Sequence, residues 1–64
     1  MWRLVKDGHT AEAKVRPIEG IGVELRNEWN GDLRVSQVFK AWEALEAAAN
    51  EKRQELEARG WRSQ

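Results

Sequence analysis

Apolar and polar side chains alternate along the first part of the chain, and after Phe39 the apolar spacing changes to three and four. Trp2 to Val5 and Thr10 to Val15 flank Asp7-Gly8, a dipeptide suited to a two-residue turn in which both central residues need positive φ. Pairing Lys6 with His9 places Val5 opposite Thr10, Leu4 opposite Ala11, Arg3 opposite Glu12 and Trp2 opposite Ala13. Trp2, Leu4, Ala11, Ala13 and Val15 then share one face, and Arg3 meets Glu12 on the other.

Val23 to Trp29 and Leu33 to Phe39 flank a second turn dipeptide, Asn30-Gly31. A strict two-residue turn pairs Glu28 with Leu33 and Arg26 with Val35, mixing apolar and charged partners. A three-residue loop with Gly31 in a bulge pairs Leu25 with Val35 and Asn27 with Leu33 instead, gathering Val23, Leu25, Leu33 and Val35 on one face. The pattern favours this second register, which sets Arg26 opposite Arg34 and Glu28 opposite Asp32. Between the hairpins, Pro17 and the two glycines of Gly20-Ile21-Gly22 interrupt the alternation and predict a connection over 17–22, with Ile18 and Ile21 tucked under the sheet edge. Gly20-Ile21-Gly22 is a turn rather than a phosphate loop, because no third glycine, no Lys-Ser or Lys-Thr and no following helix accompany it.

From Trp42 onward the spacing is helical. On a wheel Leu45, Ala49 and Leu56 fall within about 60° of Trp42, and Ala41 and Ala48 widen that arc. Arg53 with Glu57 and Glu55 with Arg59 are spaced to support the solvent face. Gly60 suits a left-handed C′ position, which makes Trp61 the C″ residue that touches Leu56. No capping side chain directly precedes Trp42, and Ser36 is the nearest candidate. The pattern thus predicts one domain over 1–61: a hairpin at about 2–16, the connection, a hairpin at 23–39, a helix at about 40–59, and a dispensable tail at 62–64. Its fold class is α+β, in two layers, with three or four antiparallel strands packed by one C-terminal helix. Trp2 and Trp42 are expected to face one another in the core, with Phe39 beside them.

Composition limits what such a domain can be. Sixty-four residues without cysteine have neither disulfides nor thiolate metal sites to support a small core. Four tryptophans, at positions 2, 29, 42 and 61, are more aromatic surface than one helix covers, which points to self-association. Eleven basic and eleven acidic residues cancel, so the excess of positive charge typical of nucleic-acid and membrane-surface binders is missing. No apolar run approaches a membrane span or a signal peptide core, and a cytoplasmic protein is expected.

Candidate chemistry is sparse. His9 is the single histidine and stands at a hairpin tip, where Asp7 offers no second imidazole or thiolate for a metal. Ser36 and Thr10 have no evident base. Glu24 and Glu28 form a carboxylate pair, yet a flat sheet offers no deep cleft to raise a pKa. No catalytic residue, cofactor or metal is assigned.

Three antiparallel strands followed by a helix resemble, in topology, the small DNA-binding domains of the plant AP2 class and some integrase amino-terminal arms. That resemblance implies a sheet laid in the major groove, with Arg3, Lys14, Arg16, Arg26 and Arg34 on the face away from the helix as phosphate or base contacts. Glu12, Glu24, Glu28 and Asp32 share that face and oppose such binding. Trp29, beside the second turn, is the first candidate for a protein interface, followed by Val5 and Val38. The reading that results is a small non-enzymatic interaction or structural module, self-associating as a homodimer, with a DNA-binding domain as the alternative.

Overall fold

Asp7-Gly8 and Asn30-Gly31 both take positive φ at each position, 50° and 82° in the first and 52° and 85° in the second, the backbone of a two-residue type I′ turn. In the computed structural model, which describes residues 1–63, these turns join β1 (Trp2–Lys6) to β2 (His9–Ile18) and β3 (Gly22–Trp29) to β4 (Asp32–Phe39). One helix, α1 (Trp42–Ala58), packs across the sheet, and a short β5 (Arg62–Ser63) follows it. The sheet is antiparallel, in the order β4-β3-β2-β1-β5, and the chain is an α+β fold.

The first hairpin has the expected register at all five pairs, from Lys6 with His9 to Trp2 with Ala13. The expected connection over 17–22 is replaced by a third hairpin, since β2 runs on to Ile18 and pairs with β3 from Ile18–Gly22 to Ala11–Trp29. Pro17 is tolerated because β2 extends past Ala13, the partner of the first residue of β1, and from there is laddered on one side only. Ile18 is half-buried, whereas Ile21 stands in the turn and is exposed, not tucked under the sheet. Gly22 serves a close approach: a Cβ there would overlap the carbonyl oxygen of Phe39 and come 3.1 Å from its carbonyl carbon.

The second hairpin corrects the expected register. Asn30-Gly31 makes the strict two-residue turn, pairing Trp29 with Asp32 and Glu28 with Leu33, and a bulge then shifts the ladder so that Asn27 meets Val35 and Leu25 meets Gln37. Turn chemistry decides the tip, and the inserted Arg34 returns Val35 to the helix side. Leu33 therefore lies on the outer face with Glu28 instead of the inner one, and Arg26 and Glu28 do not oppose Arg34 and Asp32.

The core lies between helix and sheet and consists of Trp2, Leu4, Ala11, Ala13, Leu25, Leu45, Ala49, Leu56 and Trp61. Trp2 also donates its indole N–H to the carbonyl of Ala49 at 3.0 Å, tying β1 to the helix. Trp42 is not part of this core; it is 45% exposed, at the first turn of the helix and three residues beyond the edge strand, where no further strand faces it. The helix starts at Trp42 behind an extended Ala41 without a side-chain cap, and Ser36 is in mid-strand and bonds Glu24.

The helix ends as its sequence predicts. Gly60, at φ 98°, donates to Glu57 O at 3.0 Å and Trp61 N donates to Leu56 O at 3.1 Å, the pair of bonds of a Schellman ending. Lys6 donates to the carbonyl of Arg59, so a cation from β1 sits at the negative end of the helix. The expected tail at 62–64 is partly structural, because Val5 pairs with Arg62 and Leu4 with Ser63; Gln64 lies outside the described residues.

Candidate interaction surface

The sheet face away from the helix carries a ladder of alternating charge. Glu12 opposes Glu28 and Lys14 opposes Arg26, like charges in direct cross-strand positions, whereas Arg16 opposes Glu24, and diagonal and same-strand ion pairs offset the repulsion. Lys14 reaches Glu28 at 3.1 Å, Arg26 lies 3.5 Å from Glu24 and 3.6 Å from Glu28, and Arg16 lies 3.1 Å from Glu24. Glu24 is the buried member, at 6% exposure. The Ser36 hydroxyl donates to its Oε2, while Oε1 faces Arg16 without a well-aligned hydrogen bond. The Ser36 hydrogen bond holds its carboxyl below the usual glutamate value, partial burial opposes the shift, and the charges of Arg16 and Arg26 add to it.

This ladder places the five cations considered for DNA contact. Lys14, Arg16 and Arg26 are on the outer face but engaged by Glu24 and Glu28. Arg3 shares the face, opposite Glu12. Arg34 does not: as the inserted residue of the bulge it turns to the helix side, its guanidinium 5.8 Å from the centre of the Trp29 ring.

The three interface candidates are not brought together. Trp29 folds inward, half-buried, and meets Trp61 edge-to-face with 4.7 Å between ring centres. Val5 is half-buried on β1 beside Arg62, at one side of the sheet, and Val38 is 51% exposed on β4 at the other. The hairpin tips themselves are linked. Asn30 accepts from Thr10 N at 2.9 Å through its side-chain oxygen, which leaves its amide to donate to Nδ1 of His9 at 3.0 Å. His9 therefore has a structural role beside the turn, its Nδ1 held against the Asn30 amide.

The two edges of the sheet differ. β5 covers the middle of β1 with two residue pairs, whereas β4 has a neighbour on one side only along all eight of its residues. Leu33, Val35 and Val38 are 46%, 49% and 51% exposed on that strand. A groove with a volume of about 360 Å³ lies between the helix and β4. Trp2, Trp29, Val35 and Leu56 contribute its apolar lining, Asn27 its floor, and Lys52 part of the helical rim. Among the described residues, Oδ1 of Asn27 is buried and accepts no hydrogen bond.

Sequence reasoning placed Glu24 on the outer face but missed its burial, and it missed Asn27 and the inward turn of Arg34. For Glu24 the signal was its place between Arg16, Arg26 and Ser36 once the strands are paired. Among the described residues no helix is long and apolar enough to cross a membrane. Comparison of the chain with protein-family models, with curated proteins and with solved structures gives no match.

Proposed function

We propose that this chain is a small non-enzymatic interaction module of the cytoplasm, which self-associates as a homodimer by pairing the β4 edges of two copies. The observation that carries this reading is the open eight-residue edge with Leu33, Val35 and Val38 exposed on it. Edge strands are ordinarily blunted by proline, lysine, extreme shortness, a covering segment, a bulge or an inward charge; β4 has only the bulge and inward Arg34, near its Asp32 end, and the stretch from Val35 to Phe39 has none of these. Its charges, Asp32 and Arg34, are balanced, so a second β4 meets no net repulsion. The cysteine-free chain relies on packing rather than cross-links, which suits a reducing compartment. The DNA-binding alternative has weaker support, because three of its cations already serve Glu24 and Glu28.

Sedimentation equilibrium and thermal unfolding over a range of protein concentrations test the reading. A dimer whose unfolding midpoint rises with concentration is expected, and Val38→Lys, which places a charge on the edge, shifts it to monomer with the fold retained. A monomer at every concentration, with a constant midpoint, would refute it.

A further inference from the structure

We propose that Trp42 of a second copy fills the groove beside the helix, and reciprocally, when two β4 edges pair about a two-fold axis through Gln37. This inference rests on self-association through β4 and specifies its register and its side-chain contacts.

The register follows from the bulge. From Val35 to Phe39 the ladder with β3 is regular, with Val35, Gln37 and Phe39 on the helix side and Ser36 and Val38 on the outer side. Antiparallel pairing must set same-side residues opposite one another. An axis through Gln37 pairs Val35 with Phe39 of the second copy, apolar with apolar, and Ser36 with Val38 of the second copy. An axis through Ser36 pairs Val35 with glutamine and runs Val38 into the irregular step at Arg34. The first arrangement uses the whole regular stretch.

That register decides what arrives at the groove. Beyond Phe39 the second copy runs past Val35 and Arg34 toward the Asp32 end of β4, on the side where its own helix begins. Three residues after its Phe39 comes Trp42, at the point where the groove opens between Val35 and Arg34 of β4 and Lys52 and Glu55 of the helix. Two otherwise unexplained features then answer each other. Trp42 is a large apolar side chain, 45% exposed, that carries a single N–H donor. The groove exposes the apolar surface of Trp2, Trp29, Val35 and Leu56 between polar and charged side chains of β4 and the helix. Inserting the indole removes apolar surface from water on both partners. The contact is isologous and therefore occurs twice per dimer.

The dimer dissociation constant is measured for the wild type, Trp42→Ala and Trp42→Phe, with circular dichroism of each to confirm the monomer fold. Trp42→Ala weakens dimerisation by about thirtyfold or more, as expected for a tryptophan in the centre of an interface. Trp42→Phe, which keeps an aromatic ring of smaller area, falls between. Because the wild type has no cysteine, Gln37→Cys and Ser36→Cys report the axis separately, and the disulfide-linked dimer forms preferentially at position 37. A wild-type dimer unaffected by Trp42→Ala, or cross-linking favoured at 36, overturns this inference and leaves edge pairing standing. A monomeric wild type overturns both.

Discussion

Trp61 meets Trp29 edge-to-face at 4.7 Å between ring centres, with the two planes 71° apart. The residue that completes the helix ending is thereby also the anchor for the tip of the β3–β4 hairpin. Its backbone N–H closes the Schellman bond to Leu56, and its ring is buried in the core.

Trp61→Ala removes a buried indole that few neighbours can replace and should cost about 3 to 5 kcal/mol. In a domain of this size that is most of the stability, so urea unfolding at low temperature is the suitable measurement. A loss below about 1 kcal/mol, the scale of an average substitution, would show that the ring is dispensable.

Gly22→Ala tests the approach of β3 to the end of β4. The added Cβ collides with the Phe39 carbonyl, which is backbone and cannot rotate away, so a cost of about 3 kcal/mol is expected. Gly31→Ala, in a turn where a Cβ meets no atom within 4 Å, suffers only the penalty of its positive φ and serves as the comparison. Equal losses at the two positions would remove the steric argument.

Glu24 confers a pH dependence of known sign. Its folded pKa lies below the unfolded value, so its contribution is complete above the unfolded value and is lost as pH falls through the folded one. Thermal midpoints of the wild type should therefore fall on acidification through and below the ordinary glutamate value of about 4.5, and those of Glu24→Gln should fall less. Parallel curves for the two proteins would show that the Ser36 and arginine contacts give the ionised form no advantage.

What was legible in the sequence was local. The Asp7-Gly8 turn sets the first hairpin with every pair in place, and Gly60-Trp61 sets the helix ending, because each depends on residues a few positions apart. The second hairpin was misread where two local preferences conflicted. Asn30-Gly31 requires the two-residue turn and the apolar pattern requires another phase, and the chain satisfies both by spending Arg34 on a bulge. Trp42 was read as core from its wheel position, but a wheel does not say where the sheet beneath the helix ends. The two-residue β5 has no periodicity to detect and forms because Trp61 delivers the chain beside β1. The groove, whose lining includes Asn27, arises where helix and sheet pack together, which no local pattern encodes.

If copies associate through β4 as proposed, β5 bears on how far association can proceed. With the middle of β1 covered, two copies that join through β4 leave no second open strand of that length, and assembly stops at two. If Arg62 and Ser63 detach, each molecule offers β1 as well as β4, and head-to-tail addition has no closing step. In such an assembly, the two residue pairs between β1 and β5 would be one brake on open-ended addition.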